Sequence, residues 1–138
     1  VEILVDSIGL GSGVVDRMRE LGMPVRGINV SEAPAFGNTY ANLRTELIFR
    51  VRGWLEQRTA RLPKNSALLS ELTSIRYSFG STGKVKAESK DDMRRRGLRS
   101  PDLADAVFLS FAGDAATALG TPTANWSKPI RRGLKGVA

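Results

Sequence analysis

The chain has 138 residues, 41% hydrophobic and 25% charged, which suits one domain with a real core. It contains no cysteine and no histidine. That excludes disulfides, thiol catalysis, the usual zinc sites and every histidine-based triad, and leaves any metal to oxygen ligands of the kind that suit magnesium or manganese. The net charge of +7 and pI near 10.4 favour a polyanionic partner. Residues 84–99 carry seven basic groups against three acids. The stretch from Thr117 adds four more bases and no acid. No apolar run approaches the roughly 18 residues that a membrane helix needs, and no signal-peptide pattern opens the chain.

In chain order, Glu2–Asp6 predicts a short buried strand, β-branched and apolar until its terminal acid. Gly9, Gly11 and Gly13 form a loop into a helix over Val14–Leu21, whose Val14, Val15, Met18 and Leu21 make one apolar stripe. Gly22 stops that helix, and Val25–Val30 predicts a second strand. Strand, helix and strand within about 30 residues define a βαβ unit with parallel neighbouring strands. After a loop at residues 31–37, Asn38 caps a long helix running to about Thr59, with Leu43, Leu47, Val51 and Trp54 on its apolar face. Arg44, Arg50, Arg52 and Arg58 fall elsewhere on it.

A shorter helix follows over Ser66–Leu72. Ile75, Tyr77 and Phe79 alternate with polar residues as a half-buried strand, Gly80–Gly83 turns, and Lys84–Glu88 returns antiparallel with Val85 and Ala87 inward. A highly charged segment over 88–99 leads to Ser100-Pro101-Asp102. There Ser100 suits the N-cap and Pro101 the first helical position of a helix reaching about Phe111. Beyond it, scattered glycines and prolines predict a loose basic tail over 117–138.

Four features could carry chemistry. Asp6 ends a buried strand beside a glycine loop, where α/β sheets build sites, and it could equally be a loop-capping acid. The loop Gly9-Leu-Gly-Ser-Gly13 sits where a dinucleotide-binding turn would. Its Gly-x-Gly-x-Gly spacing departs from that fingerprint, and room for a tight loop is the simpler reading. Asp102 and Asp105 share one helix face at i and i+3. They could hold a divalent cation with Asp6, or complement the helix dipole and face solvent. Lys84, Lys86, Lys90, Arg94, Arg95, Arg96 and Arg99 suit a phosphate backbone and include no evident base-reading element.

Three stretches carry a family resemblance: Ile3-Leu-Val-Asp6 with its glycine loop and helix, Gly22–Val30, and Glu88–Ala106 with its Ser-Pro-Asp-Leu-Ala-Asp-Ala core. In this order, over roughly residues 2–112, they resemble the nuclease domain of tailed-phage terminase large subunits. The resemblance implies an RNase H-like α/β fold, partial here, with a short parallel βαβ unit, helices and a β-hairpin. It also implies a metal-dependent endonuclease that cuts concatemeric double-stranded DNA during genome packaging in the bacterial cytoplasm. Magnesium or manganese at a two-metal site, a small terminase subunit and a portal come with it.

By that match, Asp6 falls on the second catalytic acid and Asp102 on the third, with Asp105 a possible ligand or support. Lys84, Lys86, Lys90, Arg94, Arg95 and Arg99 become DNA contacts. The family's first catalytic aspartate has no counterpart in this sequence, which starts within the fourth strand of the family's fold. Residues 1–116 therefore read as the C-terminal part of a nuclease domain, with an unpaired sheet edge beside Val1–Asp6 through which copies could associate. The alternative is a DNA-binding or assembly fragment without catalysis.

Overall fold

The computed structural model describes residues 1–113. The expected basic tail over 117–138 lies outside them. β1 (Ile3–Asp6) pairs parallel with β2 (Val25–Ile28), and α1 (Gly11–Glu20) crosses between them. The βαβ expectation holds, but α1 begins earlier than the apolar stripe suggested. Gly11 explains this: a Cβ there would lie 1.7 Å from the Asp6 carbonyl oxygen, so only glycine lets the helix start directly over the strand end. Of the expected stripe only Val15 is buried, and Val14 and Leu21 are exposed.

α2 (Leu43–Glu56) is capped by Asn42, not Asn38; Asn42 Oδ1 accepts from the Thr45 N–H at 2.9 Å. The preceding residues are engaged elsewhere. Val85 N donates to the Thr39 carbonyl and Ala41 N donates to that of Val85, so this segment runs beside a strand and cannot coil. The fully buried Glu46 pairs with Arg50 and accepts from Phe36 N, fixing the loop before the helix. α2 ends at Glu56, before Arg58 turns to a φ of 59°.

α3 (Ser66–Ser74) is capped by Asn65, whose Oδ1 accepts from Leu68 N. β3 (Tyr77–Phe79) and β4 (Val85–Ala87) form the expected antiparallel hairpin, turned at Gly83 with a φ of 76°. β4 buries Val85 and Ala87 as expected, whereas β3 is exposed along its length. β4 lies between β3 and the 39–41 segment, which leaves β3 as the outer strand.

A helix that the sequence left as a charged segment follows: α4 (Lys90–Arg95). Ser89 caps it, Asp91 and Asp92 fill its first turn, Arg94 and Arg95 its last, and Met93 anchors it in the core. Six residues are too few for periodicity to register among so many charges. α5 (Asp102–Ser110) runs from Asp102 as expected, but its N-cap position falls on Pro101 and not on Ser100. Pro101, with ψ 62°, occupies the N-cap position without a side-chain cap, and Ser100 contributes its carbonyl to Asp102 N.

The core sits between α2, α3 and α5, where Leu47, Val51, Leu68, Ala104 and Phe108 are buried and Leu4 and Ile28 of the parallel pair pack against them. α5 thereby lies against β1. That packing brings α5 to the end of β1. A smaller cluster of Tyr40, Phe49 and Val85 joins α2 to the hairpin.

Candidate active site

Asp6 closes β1, and one of its carboxylate oxygens accepts from Ile8 N at 3.1 Å. The loop-capping role is therefore real. It does not exclude a second role, because Asp6 also lines a pocket with Arg44, Lys90 and Asp105, with Leu47 and Phe108 among its apolar walls. Asp105 projects from the first turn of α5, one turn above Asp102. Arg44 comes from the first turn of α2 and Lys90 from the first position of α4. Four separate elements thus converge on one small space.

Within it, Lys90 Nζ lies 2.7 Å from Asp105 Oδ2, and Arg44 Nη2 lies 3.5 Å from Asp105 Oδ1. The Asp105 side chain is 18% exposed and that of Arg44 13%. Arg44 Nη1 donates to the Glu88 carbonyl at 2.8 Å, which ties α2 to the residue before the α4 cap. Arg44 Nε, Arg44 Nη2 and Asp105 Oδ2 are buried without a hydrogen bond of good geometry. The short Lys90 contact is therefore an ion pair whose direction suits charge attraction and not a directed hydrogen bond. Buried polar atoms without partners are rare in folded proteins and mark a place where a ligand can complete the bonding.

Asp102 stands apart. It is exposed at the start of α5 and is not among the residues that line this pocket. Among the described residues no group of three or more acids could hold a metal ion. The pocket supplies two carboxylates and two cations, so its residues do not fit a two-metal centre by themselves, which needs several carboxylates around ions roughly 4 Å apart.

The expected DNA contacts divide into three kinds. Lys90 faces inward to Asp105. Arg94 and Arg95, both exposed, pair with Asp91 and Asp92 of their own helix at 2.8 and 3.0 Å. Lys84, Lys86 and Arg99 have no ion pair among the described residues. Arg96 belongs to the scaffold: its Nε and Nη2 grip both Glu88 oxygens at 2.6 Å, and Nη2 also donates to the Ser74 carbonyl. This grip holds the Glu88 carboxyl below its usual range. The residue that the sequence did not single out is Arg44. It is one of several arginines on α2, and only the fold distinguishes it.

The parallel βαβ unit, the hairpin against α2 and the packing of α5 on β1 make a mixed α/β fold whose structural neighbours are RNase H-like. No protein-family model and no curated protein matches the chain. Among solved structures, the fold is similar to the nuclease domain of the large terminase subunit gp2 of bacterial virus Sf6, with a TM-score of 0.64 and 22% identity over 76% of this chain. Variant forms of that domain solved with manganese and with calcium superpose with TM-scores of 0.62 and 0.61 at the same identity. The chain spans 62% of the length of that domain.

Proposed function

We propose that this chain is part of the nuclease domain of a phage terminase large subunit, acting on the phosphodiester backbone of double-stranded DNA. The observation that carries the reading is the convergence of Asp6 and Asp105 on one pocket within a fold that resembles such domains. In this reading the two carboxylates face the scissile phosphate. The chemistry of such domains calls for divalent magnesium or manganese; Asp6 and Asp105 would supply two of the ligands for one ion, and the pocket lining supplies none for a second. Arg44 and Lys90 neutralise the acids and offer cations to the phosphate. Lys84, Lys86, Arg94, Arg95 and Arg99 serve as further electrostatic anchors for the duplex.

The motif resemblance aligns Asp102 with the third catalytic acid, and the pocket lining favours Asp105, three residues on. Asp102 then lies exposed at the start of α5, outside the pocket lining. Further ligands for a second ion are not among the described residues. The role in cutting concatemers, the small subunit and portal as partners, the bacterial cytoplasm as location, and association along the open edge of β1 all follow from the same reading. A DNA-binding or assembly fragment without catalysis is the second reading. The absence of a three-acid cluster among the described residues favours it.

The test combines manganese binding, followed by electron paramagnetic resonance, with nicking of supercoiled plasmid in manganese. Asp6→Asn and Asp105→Asn are expected to weaken manganese binding about tenfold or more, as expected when a carboxylate ligand is lost. Asp102→Asn should weaken it less. Equal manganese binding by all variants, with no nicking by any and DNA affinity still falling steeply with salt, would leave the second reading standing.

A further inference from the structure

The hairpin has two chemically different faces. Opposed pairs Tyr77 with Ala87 and Phe79 with Val85 put the two aromatic rings on the side that meets α2. Ser78 and Lys86 occupy the other side, and Lys84 and Arg76 continue it at the strand ends by the same alternation. On the inner side the rings form a row. Tyr40 and Phe49 centroids are 5.5 Å apart, Phe49 and Tyr77 5.2 Å, and Tyr77 and Phe79 6.1 Å. The Arg52 guanidinium lies 5.6 Å from the Phe49 centroid and 5.9 Å from that of Tyr77.

The row begins in the core and ends in solvent. Tyr40 is 6% exposed, Tyr77 50% and Phe79 61%. Burial explains the inner rings as packing, and the edge contact with Phe49 accounts for part of Tyr77, whereas the ring contact of Phe79 is with Tyr77 and not with the core. β3 is also an open edge. Gly80 N donates to Lys84 O and Glu88 N to Arg76 O, so the intervening alternation turns the backbone groups of Tyr77 and Phe79 outward. Lys84, Lys86 and Arg76 have no ion pair among the described residues. Glu88, the acid nearest this surface in sequence, is held by Arg96. The chemistry presented is thus two half-exposed aromatic side chains with cations on the reverse of a thin two-stranded ribbon.

We propose that the outer strand of this hairpin is a stacking platform for unpaired nucleobases of DNA, with Phe79 and Tyr77 as the stacking rings. Lys84, Lys86 and Arg76 hold the phosphates of the strand that crosses the edge. The proposal rests on the reading of the chain as a DNA-acting domain and adds a substrate feature to it: a frayed or single-stranded segment beside the duplex. Every base has a π-face, so such a platform is tolerant of sequence. The positive charge on the reverse of the ribbon, within reach of a strand that crosses its edge, favours a polyanion over an apolar protein segment.

The experiment titrates the full chain into a fluorescent single strand of about 12 nucleotides carrying 2-aminopurine, and in parallel into a blunt duplex. Phe79→Leu keeps an apolar side chain of similar bulk and removes the ring, Phe79→Trp keeps the ring, and Leu69→Ala removes an exposed apolar side chain on α3 as the control. Stacking predicts a loss of about fivefold or more in single-strand affinity for Phe79→Leu, retention for Phe79→Trp and for the control, and quenching of 2-aminopurine that Phe79→Leu abolishes. Duplex affinity should change less than twofold in all three. Lys86→Ala should lower the salt dependence on the single strand by about 0.7 in log–log slope. Equal single-strand affinity for wild type and Phe79→Leu, or absence of quenching, overturns the platform. Loss of duplex binding by the wild-type chain would instead count against the reading as a DNA-acting domain.

Discussion

Lys90 shows why residue identity alone underdetermines a role. From the sequence it belongs with Arg94 and Arg95 as one more base in a charged run, yet in the fold it turns inward to Asp105 while they pair within their own helix. A cation at 2.7 Å competes with any divalent ion for the same carboxylate. Lys90→Ala is therefore expected to raise manganese affinity about threefold to tenfold through the lost charge repulsion, and to lower duplex affinity. A manganese titration that shows weaker binding in this variant would contradict the pocket described. The acids themselves were legible as candidates, since Asp6 ends a strand and Asp102 and Asp105 open a helix. Which of the latter two faces Asp6 was not. That depends on the rotation of α5 about its axis, set by the burial of Ala104 and Phe108 in the core.

At the scale of elements, caps and glycines decide where structure starts, and these signals were only partly readable. Asn38 and Asn42 are both acceptable caps, and the choice is made by the 39–41 segment lying beside β4, which no local pattern reveals. Gly11 looks in the sequence like one of three glycines giving room to a tight loop, and in the fold its need is the close approach of the helix start to the strand end. Gly11→Ala should cost about 3 kcal/mol by overpacking against Asp6 O and displace the Asp6 backbone, measurable by urea unfolding and by reduced manganese binding. The clamp between Glu88 and Arg96 joins α3, the hairpin and α4. Its carboxyl titrates lower in the folded chain than in the unfolded one. The stabilisation is thus fully present above the unfolded value of about 4.3 and is lost as pH falls through the folded value. A melting-temperature profile should fall below about pH 4.5 in the wild type, and that part of the fall should flatten in Arg96→Ala.

For the whole molecule, the βαβ unit, the hairpin and the single core were all evident from alternation and periodicity, because those patterns reflect burial directly. What periodicity misjudged was how much of it this chain buries. β1 has β2 as its one strand partner among the described residues, and Leu10, Val14, Leu21 and Met23 of the adjoining helix and loops remain exposed. An open edge beside apolar side chains favours association. Sedimentation of the chain should show concentration-dependent self-association, and Val14→Lys with Leu21→Lys should reduce it without changing the far-ultraviolet circular dichroism. A wild-type chain that stays monomeric at high micromolar concentration would remove the basis for an exposed contact surface.

Thr45 gives the cap of α2 a longer reach than a cap ordinarily has. Its hydroxyl donates to Asn42 Oδ1 at 2.8 Å, and its oxygen accepts from the Ala87 amide in the inner strand of the hairpin, 42 residues away. Opening the first turn of the helix therefore releases a strand amide, and lifting the strand takes a donor from the hydroxyl that also holds the cap. The two should open together and close together. In hydrogen–deuterium exchange, Thr45→Val is expected to speed exchange of the Ala87 amide and of the amides from Thr45 to Leu47 by a common factor of about ten or more. The part of the surface that presents Lys84 and Lys86 is in this way timed by the start of the helix that carries Arg44.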